Sequence, residues 1–172
     1  MSQHQMPKGA GMSEEKRFDV EFEGTGRATG KMRNDISVRF TTTNEEFELA
    51  TDEGSFHGGD GTAAPPLALF TAALIGCIMT QIRAFSKRMR IEVGAVEVSA
   101  RMHWEGRQVG REPYVTAPVG FSLDIDLDSS ASEEDQLRLI DAAKQGCFIE
   151  QTLKTGIEVG HRLKIGEDWR DA

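Results

Sequence analysis

Two cysteines, Cys77 and Cys147, are the only thiols in this 172-residue chain. A thiol becomes a nucleophile, a metal ligand or a redox centre once it can ionise. The first sits in PPLALFTAALIGCIMTQIRAF, residues 65–85, where apolar and very small side chains surround it on both sides. The second opens CFIEQTLKTGIEV, residues 147–159. Neither belongs to a CxxC pair, and free cysteine is among the most buried residue types. On the residues alone, inert core thiols are therefore the commoner reading and redox chemistry the rarer one. Both stay open at this level.

Other residues capable of chemistry are less well arranged. His57, His103 and His161 lack an i, i+4 or CxxC context that would suit a metal. Asp124, Asp126 and Asp128 resemble the start of a calcium loop, but Ser129 stands where glycine belongs and Asp135 where a bidentate glutamate belongs. Their strict alternation with Leu123, Ile125 and Leu127 instead describes the exposed face of a strand. GTGRATG, residues 24–30, lacks the GxGxxG spacing of a dinucleotide loop. No metal and no cofactor is expected.

The elements that must position the thiols follow from periodicity. Phe18, Val20 and Phe22, then Ile36, Val38 and Phe40, then Phe47 and Leu49 alternate with polar residues, which predicts a β-meander over residues 16–50. Glycines 24, 26 and 30 and the pair Asn34-Asp35 are expected to make its turns, and DEGSFHGGDGTAA a loop. Pro65 and Pro66 suit the first turn of a helix running to about Arg90. Leu67, Phe70, Leu74, Ile78, Ile82, Phe85 and Met89 give it one apolar stripe, and Ala73, Gly76, Cys77 and Thr80 a narrow face that another backbone can approach. Its apolar run of about 15 residues is short of the roughly 20 that a bilayer needs, so a central core helix covered by sheet or by a partner chain is expected.

Val93–Trp104 and Tyr114–Leu127 are expected strands joined through residues 106–111. Ser130 or Ser132 caps a second helix running to about Thr155, whose first turn carries Glu133, Glu134 and Asp135. Cys147 is expected in its middle, so that packing the two helices together would bring the sulfurs into register. Gly156 stops that helix, and Ile157 to Ile165 alternate in a closing strand.

Composition narrows the class. Twenty-eight acidic against twenty basic side chains leave a net charge of −8, spread along the chain, which argues against nucleic acid or a membrane surface as partner. Residues 1–15 are expected to be a disordered tail, with Met12 a possible alternative start, and residues 16–172 a single domain. MSQHQMPKGAGMSEEK has no basic and apolar leader pattern, so a reducing, cytoplasmic location is expected, with free thiols or a redox pair rather than a disulfide scaffold.

The stretch GGDGTAAPPLALFTAALIGCIMTQIRAFSKRMRIEVGAVEVSARMHWEG, together with CFIEQTLKTGIEV, resembles the osmotically inducible protein C and organic hydroperoxide resistance family, over roughly residues 16–166. The resemblance implies an α+β fold: an intertwined homodimer whose β-meander and further antiparallel strands wrap two central cysteine-bearing helices. It implies a thiol peroxidase for organic hydroperoxides in oxidative stress defence. Cys77 would be oxidised to a sulfenic acid, Cys147 would close a disulfide with it, and an external dithiol would reduce that disulfide. The family places an arginine beside the thiolate; Arg27 is the preferred match, Arg33 the alternative. The glutamate that holds this arginine in the family reads Leu67 here, and Phe148 follows Cys147 where better-known members carry proline. Those departures point to a divergent branch. A weakly catalytic or non-catalytic dimer that binds a small hydrophobic ligand is the alternative they leave open.

Overall fold

The computed structural model describes residues 15–172, and the tail expected over residues 1–15 lies outside the described residues apart from Glu15. The chain divides into two compact units, one ending at Ala64 and one spanning Pro65–Ala172.

In the first unit three strands, β1 (Phe22–Ala28), β2 (Asn34–Phe40) and β3 (Glu45–Thr51), form the expected antiparallel meander in that order. Its edges differ from the expectation. Phe18 and Val20 precede β1. Gly24 and Gly26 lie inside it, opposite Val38 and Ile36, because ladder hydrogen bonds and β-branched partners outweigh glycine's poor strand propensity. Asn34 and Asp35 open β2 instead of turning the chain. The Asn34 side-chain amide donates to the Met32 carbonyl (3.2 Å) and the Thr51 hydroxyl (3.3 Å), so its polar group is satisfied across the ladder. The turn falls just before, where the N–H groups of Thr29 and Gly30 both donate to the Arg33 carbonyl.

The loop after β3 is organised by one buried carboxylate. Asp52, 1% exposed, accepts from the N–H groups of Glu53 and Thr62, both at 2.9 Å, and from the Thr62 hydroxyl at 2.8 Å. A buried charge needs such a set of donors. The Thr62 N–H, then its hydroxyl, hold the Asp52 carboxyl below its ordinary value of 3.8. Gly59 lets the loop close, since a Cβ there would stand 1.9 Å from the Glu53 carbonyl oxygen.

The second unit begins with α1 (Pro66–Met89), close to its expected span. Its buried side chains are Leu74, Ile78, Ile82 and Ser86, an i, i+4 stripe rather than a helix enclosed on all sides. Leu67 is 53% exposed, and Ala73, Gly76 and Thr80 are open as well. The helix has 24 residues, so by length and composition it is long and apolar enough to cross a membrane. The uninterrupted apolar run is shorter than the helix, because Gln81 and Arg83 end the run while the helix continues to Met89.

Strands β4 (Val96–Arg107) and β5 (Val115–Leu127) form a long antiparallel hairpin. Its loop covers residues 108–114, longer than expected, and a bulge falls at His103/Trp104, where β5 carries Pro118. On β5, Phe121, Leu123, Ile125 and Leu127 face inward while Asp124 and Asp126 are exposed, the expected strand alternation. Helix α2 (Glu133–Gly146) is capped by Ser132, whose hydroxyl accepts from the Asp135 N–H at 3.2 Å. A separate helix, α3 (Phe148–Thr155), ends at Gly156 with φ 62°. Of the expected closing strand only β6 (Arg162–Ile165) is paired, in a hairpin with β7 (Asp168–Asp171). Ile157 and Val159 are 68% and 71% exposed and join no ladder among the described residues. The core of this unit comprises Leu74, Ile78 and Ile82, then Ile91 and Val96, then Leu139, Ala143 and Cys147. Each large aliphatic side chain there contributes roughly 1.5–3 kcal/mol of burial.

Candidate active site at the two cysteines

Cys77 rides on α1 beside the buried stripe, adjacent to Ile78, and is half-buried. Cys147 is fully buried. It does not lie in the middle of a helix, as its periodicity suggested. It occupies the break between α2 and α3, with φ −77° and ψ 106°, and serves as C-cap of one helix and N-cap of the other. The extended ψ ends the α2 ladder. Gln151 repairs the break: its N–H donates to the Cys147 carbonyl (2.9 Å) and its side-chain amide to the Lys144 carbonyl (2.8 Å), one of the orphaned acceptors of α2.

Gly146, immediately before Cys147, sets the approach of α2 to α1. A Cβ at that position would lie 2.6 Å from two atoms of the Phe85 ring and 3.3 Å from the Gln81 amide oxygen. Only glycine lets the break press this closely on α1, and the result is that Cys77 packs against the core cluster that holds Cys147.

Burial, then the hydrogen bond to Cys77 and the negative charge that Cys77 carries when ionised, push the Cys147 thiol from 9.0 up to about 11. The N–H groups of Glu150 and Ile149, at the start of α3, oppose that rise by facing the sulfur. The pair is thus asymmetric: a half-buried cysteine on α1, and beside it a fully buried thiol whose neutral form is favoured.

Both candidate arginines belong to the first unit. Arg27 lies in β1 directly across from Asp35. With Thr25, Asp35, Ser37 and Glu48 it lines a shallow cavity of about 330 Å³. Arg33 is the more firmly held. Its guanidinium binds the Asp35 carboxylate at 2.8 Å and the Thr62 hydroxyl at 3.0 Å, and Thr62 is itself anchored by Asp52. The Asp52–Thr62–Arg33 chain has no counterpart in the sequence reading, because its members are separated by loops without periodicity.

The chain matches the OsmC family, described as OsmC-like protein, over residues 59–162, a span that contains both cysteines and the helices that carry them. It belongs to the OsmC-like family. Among solved structures, an OsmC-like hydroperoxide resistance protein from Jannaschia sp. CCS1 is 47% identical, over 89% of this chain and 98% of that one, with a TM-score of 0.62. An OsmC-like protein from Mycoplasma pneumoniae, 14% identical over 81% of this chain and 91% of that one, has a TM-score of 0.60. An organic hydroperoxide resistance protein from Legionella pneumophila, 15% identical over 81% and 92%, has a TM-score of 0.54. The last two show the fold alone. No curated protein matches the chain at a significant level.

Within this OsmC-like chain the second unit also has an apolar groove of about 620 Å³. Leu74 and Ile78, on the turns of α1 around Cys77, form one wall; Phe121, Leu123 and Ile125 of β5 form another, and Lys144, Glu150 and Lys154 stand among its lining residues. Leu74 and Ile78 of the apolar stripe thus line the groove. Phe70 packs instead against Trp104 and Phe121 at 5.9 and 6.1 Å, and Phe148 is 51% exposed. Trp169 lies under Arg162 at 5.6 Å.

Proposed function

We propose that this OsmC-like chain is a thiol-dependent peroxidase that reduces organic hydroperoxides in oxidative stress defence. One observation carries the reading: the packing of a half-buried Cys77 against the core that holds the buried Cys147. The 47% identical relative, an OsmC-like hydroperoxide resistance protein, supports it. Cys77 thiolate attacks the outer peroxide oxygen, an alcohol leaves, and the Cys77 sulfenate is resolved by Cys147 to an intrachain disulfide. An external dithiol then reduces that disulfide, as a reducing cytoplasm would allow. The apolar groove beside α1 favours organic over inorganic peroxide.

Arg27 is assigned the cationic role that lowers the thiolate's energy, with Arg33 the competing candidate. Arg33 already has the carboxylate partner that the family's pattern demands and that Leu67 no longer supplies. Kinetics of Arg27→Ala and Arg33→Ala decide between them: the one whose loss lowers Cys77 oxidation at least tenfold is the functional cation. The working form in this reading is a homodimer in which residues 16–172 act as one domain, since Phe22, Phe47, Leu49 and Leu67 are all about half exposed in the single chain.

Stopped-flow oxidation with an alkyl hydroperoxide tests the activity. The wild-type protein is expected to consume peroxide and to form an intrachain Cys77–Cys147 disulfide, and Cys77→Ser to do neither. Equal peroxide consumption by wild type and Cys77→Ser would overturn the enzyme reading. A second reading, a dimer that holds a small hydrophobic ligand, is favoured by Leu67 in place of the glutamate and by the groove. Saturable binding of a fluorescent fatty-acid probe, unchanged in Cys77→Ser, together with peroxide inertness of the wild type, would establish it instead.

A further inference from the structure

We propose that Cys147 does more than close the disulfide: it is the acid of the first step, giving its thiol proton to the alkoxide that leaves as Cys77 is oxidised. This rests on the peroxidase reading above. Three observations converge on it. The Cys147 thiol is fully buried, so the bulk-water route to the reacting atoms does not pass through it. It lies against Cys77, which packs on the core cluster that holds it, so its proton sits beside the reacting centre. And Cys147 is the N-cap of α3: its thiol takes no side-chain cap hydrogen bond there, while the Ile149 and Glu150 N–H groups at the head of that helix favour the thiolate once the proton is gone.

The steps balance. The Cys77 thiolate donates an electron pair to the outer oxygen of R–O–O–H; the S–O bond forms, the O–O bond breaks, and RO⁻ departs with both electrons of that bond. Sulfur is oxidised by two electrons and the peroxide is reduced by two. The proton of Cys147 passes to RO⁻, giving ROH and a Cys147 thiolate. That thiolate then attacks the Cys77 sulfenic sulfur, the S–S bond forms, the S–O bond breaks, and the departing hydroxide takes up the proton that Cys77 released to solvent on ionising, giving water. An alkoxide has a basicity near that of hydroxide, far above that of the thiolate of a buried thiol pushed up to about 11. The transfer is downhill. Because the thiol holds its proton at neutral pH, it places no second negative charge beside the attacking Cys77, and it becomes a nucleophile only after the sulfenic acid exists.

The test is single-turnover oxidation of wild type, Cys147→Ala and Cys147→Ser, with Cys77 sulfenate quantified by trapping and intact mass. A series of alkyl hydroperoxides whose alcohols differ in acidity supplies the leaving-group dependence. Alkylation of Cys77 by iodoacetamide, in which the leaving iodide needs no proton, is measured in parallel as a control for thiolate formation and for folding. The expected result is a loss of about 10²-fold in peroxide oxidation for Cys147→Ala, at the lower end of general acid catalysis. That loss should come with a steeper dependence on alcohol acidity and an alkylation rate within twofold of wild type. Cys147→Ser, whose hydroxyl is about as weak an acid as the departing alcohol, is expected to recover little of the rate and to form no disulfide. Equal rates and equal leaving-group dependence in Cys147→Ala and wild type would overturn the acid role and leave the peroxidase reading standing. A parallel fall in alkylation would overturn it too, by placing the effect on the thiolate. A wild type in which peroxide never oxidises Cys77 would instead overturn the peroxidase reading itself.

Discussion

Cys147 and Asp52 are the two side chains whose protonation the fold controls most directly, and they act in opposite directions. Cys147 is raised from 9.0 to about 11, chiefly by burial. Its neutral form is favoured in the folded state, so its contribution to stability is complete below pH 9 and is lost as pH rises through about 11. The melting temperature of wild type is expected to fall more steeply across that window than that of Cys147→Ala, and thermal scans from pH 8 upward check it. Asp52 is lowered below 3.8 by its bonds to Thr62 and Glu53, so its contribution is present above 3.8 and disappears as pH falls through the depressed value. Hydrogen-exchange protection of the Thr62 amide is expected to collapse on acidification in wild type and to be absent at neutral pH in Asp52→Ala. The cysteines could be picked out from the sequence by type alone. Asp52 could not, because nothing in its neighbours announces a carboxylate that turns inward to gather loop donors.

At the scale of the elements, the contact between the thiols depends on where α2 stops. Periodicity runs smoothly from Glu133 to Thr155, so the sequence reads as one helix; the tertiary contact at Gly146 is what makes two. Substituting Gly146→Ala puts a methyl group 2.6 Å from the Phe85 ring. Overpacking of this kind costs about 1–3 kcal/mol. We expect that loss in chemical denaturation, and with it slower formation of the Cys77–Cys147 bridge under diamide as the break is pushed away from α1. The meander, α1 and the long hairpin were legible from alternation and from helical spacing. Their ends were not, since Asn34, Gly24 and Gly26 take their conformations from partner strands rather than from their own propensities.

For the whole molecule, the open face of α1 is the decisive feature. In the chain by itself a Cβ on Gly76 would touch nothing within 4 Å. In isolation Gly76→Leu should therefore be stabilising, by up to about 1 kcal/mol of helix propensity. In the proposed intertwined dimer the same leucine occupies the face where a second backbone must approach. Sedimentation velocity is expected to give a dimer for the wild type and dissociation toward monomer for Gly76→Leu; a variant dimer as tight as wild type would place the interface elsewhere. The sequence by itself determined the class of elements, their order and the two sulfurs, because hydrophobic period and residue chemistry are local properties. Only the tertiary structure decided that the second helix breaks at Cys147, that Gly146 admits it against α1, and that Asp52 anchors Thr62 beneath Arg33. Each of these depends on atoms brought together from distant parts of the chain, and no local pattern encodes such an encounter.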